Sequence, residues 1–197
     1  MKVEHTLYIA RHGETQANIE HRFSGKKDTP LTARGLEQAH QVGAILRREL
    51  GLKPALGFVA SPLQRARTTM EIVRGDLELP PQDFSTDARL QEIDLGEWDQ
   101  LTDDEARTRD PVLFSARGND KWHVKVPGGE NYADVAARAE DWLASLSGDT
   151  FAISHGAFIR ILRGMVLGLD WKAMSALDEP QGCVYRLSGQ TVTRLDA

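Results

Sequence analysis

Cysteine is nearly absent from this chain. Cys183 is the only one among 197 residues, so no internal disulfide can form and no zinc site can be built from several thiolates. A chain of this length buries enough surface to fold without such cross-links. The composition therefore favours a globular protein in a reducing compartment.

Long apolar runs and a positive net charge are also missing. No stretch approaches the roughly 20 apolar residues of a transmembrane helix, and residues 1–5 lack the basic start of a signal peptide. The net charge of −5 argues against nucleic acid as a general partner. We therefore expect a cytoplasmic protein that binds neither membranes nor nucleic acid. The sequence is compatible with a homodimer.

What the chain does contain is an alternation of short apolar runs and helical patterns. Buried strands are predicted at 7–10, 58–60 and 150–153. Helices are predicted over 32–50, 61–74, 132–146 and 157–167, and a final hairpin over 184–187 and 191–195. Ser61 is predicted to cap the second helix. This order predicts an α/β three-layer sandwich, with a mainly parallel central sheet and helices on both faces.

The segment between the second and third strands is less regular. Asp110-Pro111 predicts a helix start within it. We expect one domain spanning residues 1–197, with an insertion around 100–130 that covers the substrate. Trp122 and His123 in that insertion are interpreted either as part of the cover or as packing.

Each predicted strand runs directly into polar residues. Arg11 and His12 follow the first strand, Ser61 follows the second, and His155 follows the third. The carboxyl ends of parallel strands share one edge of the sheet, which is where open α/β folds place their ligands. We therefore expect these side chains to converge although they are far apart in the sequence.

The types of residue that converge indicate an anion. Arginine holds phosphate through paired charge-assisted hydrogen bonds, so Arg11 and Arg65 predict an oxyanion cradle. Backbone N–H groups at the helix start after Gly156 would add donors. Histidine is a competent nucleophile. A metal site is the alternative, but His12 and His155 lack neighbouring ligands at zinc-like spacing, so we expect neither a metal nor a cofactor.

These clusters carry a set of motifs in a fixed order. The motifs are Arg11-His12-Gly13-Glu14-Thr15, Asp28-Thr29-Pro30-Leu31-Thr32, Ser61-Pro62-Leu63-Gln64-Arg65-Ala66, Glu92-Ile93-Asp94-Leu95-Gly96-Glu97-Trp98 and Ser154-His155-Gly156. The ordered set resembles the histidine phosphatase superfamily, which includes the cofactor-dependent phosphoglycerate mutases. The resemblance implies a phosphoglycerate mutase-like fold and chemistry without a metal.

The resemblance also implies roles for single residues. His12 would be the nucleophile and become phosphorylated, with Arg11, Arg65 and His155 completing the phosphate pocket. Glu92 would protonate the leaving oxygen and later activate water, which suits an alkoxide leaving group. Glu14, Asp94 and Glu97 are the alternative carboxylates. The remaining residues implied to bind phosphate or substrate are Asn18, Ser24, Gly25 and Gly156.

Departures from the family pattern separate two reactions. The last motif is followed by Ala157-Phe158 where the mutases usually have Asn-Ser, and the stretch from 92 to 155 is shorter than in mutases. A mutase must shield its phosphoenzyme from water, because hydrolysis destroys the cycle. The sequence therefore favours a phosphatase acting on a small phosphorylated metabolite. A phosphoglycerate mutase and a non-catalytic phosphate-binding module are the alternatives.

Overall fold

Strands and helices alternate along most of the chain in the computed structural model, which describes residues 1–197. The strands are β1 (Val3–Arg11), β2 (Gly57–Ala60), β3 (Ser85–Thr86), β4 (Thr150–Ser154), β5 (Val184–Gly189) and β6 (Thr191–Leu195). The helices are α1 (Gln16–Ile19), α2 (Ala33–Leu50), α3 (Gln64–Asp76), α4 (Asp103–Arg109), α5 (Pro111–Asn119), α6 (Tyr132–Ala144), α7 (Gly156–Leu167) and α8 (Trp171–Ser175).

The six strands form one sheet in the order β3-β2-β4-β1-β5-β6. The first four in this order are parallel, and the terminal hairpin of β5 and β6 adds two antiparallel strands. Arg11 is in register with Ser154, and Ala60 with Ile153. The predicted mainly parallel sheet is thereby confirmed, and β1, β2 and β4 end together at one edge.

Hydrophobic clusters cover both faces of the sheet, as predicted. Phe151 and Ile153 of β4 contribute to the cluster beneath α2 and α3, while Ala152 between them contributes to the cluster beneath α6 and α7. This alternation follows the two-residue period of a strand. Because both faces are covered, β4 is buried throughout. None of the helices combines the length and apolar character that spanning a bilayer requires.

The start of α3 differs from its prediction. The helix begins at Gln64, and Leu63 occupies the capping position without a side-chain hydrogen bond to the helix. Ser61 lies before the helix, and its hydroxyl contacts His155. The prediction that Ser61 caps this helix was therefore wrong, because the hydroxyl is used by the site.

Residues 100–130 fold mainly as α4 and α5. Asp110 caps α5 through its carboxylate, and Pro111 occupies the first turn, which confirms the predicted helix start. Phe114 and Trp122 pack against the large hydrophobic cluster, and His123 is exposed and pairs with Asp120. None of these three side chains lines the cleft described below. Packing is therefore the interpretation that fits Trp122.

The loop after β1 lies directly against the start of α2. A Cβ atom on Gly13 would overlap the carbonyl oxygen of Gly35, and one on Gly35 would overlap the carbonyl oxygen of Glu14. Only glycine allows two backbones to approach this closely. Thr32 caps α2 by accepting a hydrogen bond from the Gly35 N–H at 3.0 Å. The glycine pair thus fixes the position of the loop that carries His12.

Candidate active site

A cleft of about 220 Å³ opens at the edge where β1 and β4 end. Five basic side chains of arginine or lysine line it, but only two carboxylates, those of Glu92 and Glu179. The predicted site residues that line it are Arg11, His12, Asn18, Ser24, Gly25 and Glu92. Arg65 and His155 are buried against His12. The structure therefore brings together residues from opposite ends of the chain.

The tautomer of His12 follows from its hydrogen bond to the backbone. Its Nδ1 lies 2.7 Å from the carbonyl oxygen of Gly13, which can only accept, so Nδ1 carries the proton. The lone pair is then on Nε2, where the Arg65 Nε–H donates at 3.3 Å. Burial, followed by the charges of Arg65 and Arg11, holds the pKa of His12 well below its ordinary value of 6.5. His12 is therefore neutral at neutral pH and has the lone pair that a nucleophile needs.

His155 lies beside His12, with 5.0 Å between the ring centroids. Its Nε2 is 2.7 Å from the Ser61 hydroxyl, and its Nδ1 is buried without any partner. Burial, and then the neighbouring His12 ring and the charge of Arg65, lower the pKa of His155 well below the usual value. A buried ring nitrogen without a partner is costly. An oxygen of a bound phosphate would satisfy it.

Arg65 is committed to the protein through all its donors. Its Nε–H faces His12. Its two terminal nitrogens bond to the carboxylate of Asp28 and to the carbonyl oxygens of Ser24, Gly25 and Lys27. The sequence predicted a free fork for phosphate, but four acceptors of the loop 24–28 occupy that fork. Arg65 therefore anchors this loop, and only its Nε edge is directed toward the nucleophile.

Arg11 shares a carboxylate with a second arginine. Its Nη1 donates to the Glu179 carbonyl at 2.7 Å and lies 3.9 Å from the Glu179 carboxylate, which also pairs with Arg160. The Nε of Arg11 is buried without a partner. The Glu179 carboxylate also occupies the space beside Gly156. Sequence analysis missed Glu179, because it lies in a loop that has no periodic pattern.

Glu92 lies at the amino terminus of α7. Its carboxylate accepts hydrogen bonds from the N–H groups of Ala157 and Phe158, both at 3.2 Å, and from that of Ile93 at 2.9 Å. The helix start was predicted to supply N–H groups for phosphate, and in this structure those of Ala157 and Phe158 bond to the Glu92 carboxylate. The helix dipole and these donors instead hold Glu92 at the edge of the cleft.

The backbone of Glu92 is held from behind by Arg138 of α6. Arg138 donates to the carbonyl oxygens of Arg89, Gln91 and Glu92 at 2.6, 2.8 and 3.2 Å. Its remaining donors bond to the Glu130 carboxylate. Sequence analysis missed Arg138, because an arginine on an amphipathic helix ordinarily faces solvent.

The alternative carboxylates do not line the cleft. Glu14 accepts from the Thr32 hydroxyl, while Asp94 and Glu97 pair with basic side chains. No three side chains of histidine, cysteine, aspartate or glutamate cluster as metal ligands would. Glu92 is thus the carboxylate of its motif that reaches the cleft.

Asn18 combines a structural contact with a place at the cleft. Its Oδ1 accepts hydrogen bonds from the Thr15 N–H and the Gln181 side chain, each at 3.1 Å. The first bond belongs to a capping box that begins α1. The turn-fixing role is therefore present, and the side chain still lines the cleft.

Comparison with known proteins bears on the class of protein that this geometry defines. The family model of the histidine phosphatase superfamily (branch 1) matches residues 7–193. The adenosylcobalamin/α-ribazole phosphatase of Escherichia coli K12 is 34% identical over 182 residues, which cover 90% of this chain and 86% of that protein. A Salmonella newport protein named probable phosphoglycerate mutase GpmB is 32% identical over 200 residues, covering 96% and 84%.

A solved structure shows the same likeness in three dimensions. The α-ribazole phosphatase of Shigella flexneri superposes with a TM-score of 0.82 at 29% identity, over 98% of this chain and 96% of that one. The chain belongs to the histidine phosphatase superfamily. The predicted resemblance is confirmed, and membership in the family supports a phosphatase enzyme.

Proposed function

We propose that the protein hydrolyses phosphate monoesters of a small metabolite through a phosphohistidine intermediate, without a metal. One observation carries the proposal. The Gly13 carbonyl holds the proton of His12 on Nδ1, which leaves the Nε2 lone pair in a basic cleft. The unpartnered Nδ1 of His155 and Nε of Arg11 are further polar groups that phosphate oxygens would satisfy.

In the first step, His12 Nε2 attacks the phosphorus atom. The N–P bond forms while the bond from phosphorus to the ester oxygen breaks, and Glu92 in its protonated form gives its proton to that oxygen. The cationic side chains nearest the nucleophile, Arg11 and Arg65, stabilise the charge on the phosphoryl oxygens, which is the main requirement of phosphoryl transfer. The alcohol then leaves.

In the second step, water attacks the phosphohistidine. The Glu92 carboxylate takes a proton from that water, the N–P bond breaks, and inorganic phosphate leaves with His12 neutral again. The three N–H groups around Glu92 hold its carboxyl group at the edge of the cleft during this step. The same carboxyl group thus returns to its protonated state for the next cycle.

The nucleophile is tested by trapping the intermediate. A labelled phosphate ester should leave acid-labile, base-stable label on His12, in the presence of a chelator, and His12→Ala should lose both label and turnover. His123→Ala is the matched control, because it removes an exposed histidine outside the cleft. Turnover by His12→Ala at the wild-type rate, or chelator-sensitive turnover, would contradict the proposal. Isomerisation of 3-phosphoglycerate that depends on 2,3-bisphosphoglycerate would identify a mutase instead.

The role of Glu92 is tested by the leaving group. Glu92→Gln should slow single-turnover phosphorylation by alkyl phosphates by about a hundredfold or more, because an alkoxide needs a proton. Single-turnover phosphorylation by an aryl phosphate with an acidic phenol should slow very little, because that leaving group needs no proton. Glu97→Gln is the control, since this exposed carboxylate of the same motif pairs with Arg109 outside the cleft. Equal losses on both substrates would show that Glu92 is only structural.

A further inference from the structure

Arg117 is a buried cation without a partner in the wall of the cleft. Its side chain belongs to α5, only 8% of the residue is exposed, and its Nε makes no hydrogen bond. No carboxylate lies within ion-pair distance of it. Other arginines of the same cleft are paired, since Arg22 contacts Glu105 and Arg160 contacts Glu179. Arg117 therefore differs from these arginines in having no ion-pair partner.

An unpaired buried charge is costly for the free protein. Burial lowers the pKa of Arg117, and the only opposing influence comes from the Tyr132 hydroxyl. That hydroxyl already accepts a hydrogen bond from Arg160 at 3.2 Å. Such a charge is strongly destabilising until an anion arrives. Its presence beside a cleft therefore points to a ligand that supplies the missing negative charge.

Lys121 adds a second unpaired charge to the same wall. It lines the cleft just beyond α5 and forms no ion pair. Neither Lys121 nor Arg117 bonds to His12, Arg65 or His155. The cleft therefore has two basic regions, one at the nucleophile and one at the wall formed by α5. A single phosphoryl group at His12 uses the first and leaves the second unmatched.

We propose that Arg117 and Lys121 bind a second anionic group, a carboxylate or a phosphate, carried by the alcohol part of the substrate. This inference rests on the proposed function, because it assumes that the phosphoryl group lies at His12. It defines the substrate as a phosphate monoester with another negative charge. A neutral alcohol would leave the Arg117 guanidinium without a partner.

The test compares substrates that differ only in the second group. The carboxylate arm uses ω-phosphooxy carboxylates of two to five carbons, the phosphate arm uses alkanediol bisphosphates, and the neutral arm uses alkanediol monophosphates of the same lengths. Wild type should favour one anionic arm at one chain length. Arg117→Met should lower kcat/KM for that substrate by about ten- to a hundredfold, the range expected for a charge-assisted hydrogen bond. It should change the neutral arm by less than about threefold.

Arg109→Met serves as the matched control, because Arg109 lies on the neighbouring helix α4 and pairs with Glu97 outside the cleft. A second readout needs no turnover. Arg117→Met should raise the thermal midpoint of the unliganded protein by about 2–4 °C, because it removes an uncompensated buried charge. The midpoint shift caused by the best anionic ester should be smaller in the variant than in wild type.

The outcomes separate this inference from the proposed function. Two results would overturn the proposed subsite while leaving the proposed phosphatase function in place. One is hydrolysis of the esters of all three arms without preference, and the other is an equal loss of kcat/KM in Arg117→Met on neutral and anionic esters. Absence of any hydrolysis would count against the proposed function, and the midpoint shifts would still decide the subsite. Equal stabilisation of wild type and Arg117→Met by an anionic ester would refute it.

Discussion

Two buried neutral histidines make the folded state sensitive to acid. His12 and His155 both have a pKa well below 6.5, chiefly because of burial. In the unfolded chain each would titrate near 6.5. Because the native pKa is the lower one, this contribution to stability is fully present above pH 6.5 and is lost as the pH falls. We therefore predict that the protein loses stability below neutral pH faster than its carboxylates alone would cause.

The size of the effect follows from proton linkage. Each histidine that stays neutral in the folded state lowers the free energy of unfolding by up to about 1.4 kcal/mol for every pH unit below its pKa in the unfolded chain. Between pH 7.5 and 5.5 the integrated loss is at most about 1.4 kcal/mol for each ring, the limit for a ring that stays neutral throughout, or at most about 2.7 kcal/mol for His12 and His155 together. Against a typical total stability of about 5–15 kcal/mol, a loss of that size is easily measured.

The assay is denaturant unfolding at a series of pH values from 7.5 to 5.5, with extrapolation to water. His12→Gln should reduce the loss across this window by up to about 1.4 kcal/mol, because one titrating ring is gone. Val73→Ala is the control, since it truncates the buried core beneath α3 and keeps both histidines. It should lower the free energy of unfolding equally at every pH. Identical pH dependence in wild type and His12→Gln would refute the reasoning.

Three further variants test contacts around the nucleophile. Arg138→Lys should slow the hydrolysis of alkyl phosphates more than that of aryl phosphates and should change kcat more than KM, because Arg138 positions Glu92. Equal effects on both substrates would indicate a purely structural role. Arg65→Lys should lower activity by about tenfold or more, and it should lower the free energy of unfolding in denaturant by about 2–5 kcal/mol, because lysine leaves acceptors of the loop 24–28 unpaired. Wild-type stability of this variant would contradict the observed contacts. Ser61→Ala should cost about 1 kcal/mol of stability and lower kcat by about tenfold, because His155 loses the hydroxyl that orients it; unchanged steady-state kinetics would exclude that orienting role.

The part of the site that could be predicted depends on strand ends. Buried strands have short apolar sequences, and parallel strands end at one edge, so the meeting of Arg11, His12 and His155 follows from local patterns and topology. Glu92 follows no predicted strand, and its motif was identified only through the resemblance to the histidine phosphatase superfamily. Arg11, His12 and His155, by contrast, lie beside strands whose burial is set by hydrophobic periodicity.

The remaining part depends on distances that no local pattern encodes. Glu179 pairs with Arg11 across 168 positions of sequence, from a loop without periodicity. Arg138 lies on a helix whose spacing indicates only which side faces the core. Ser61 has the sequence context of a helix cap, yet its hydroxyl bonds to His155. In each case tertiary contacts override the role that local sequence predicts.

The contact between Gly13 and Gly35 has a consequence for random mutagenesis. In a screen for activity, every substitution at either position should register as a loss, although neither residue bears a functional group. Alanine at Gly13 must push the backbone away from Gly35, and it carries the neighbouring His12 with it. A second substitution at Gly35 cannot compensate, because any side chain there meets the backbone of Glu14. Loss of activity on substitution at these two sites would thus reflect the close approach of two backbone segments. A map of inactivating mutations would therefore include residues that never touch the substrate.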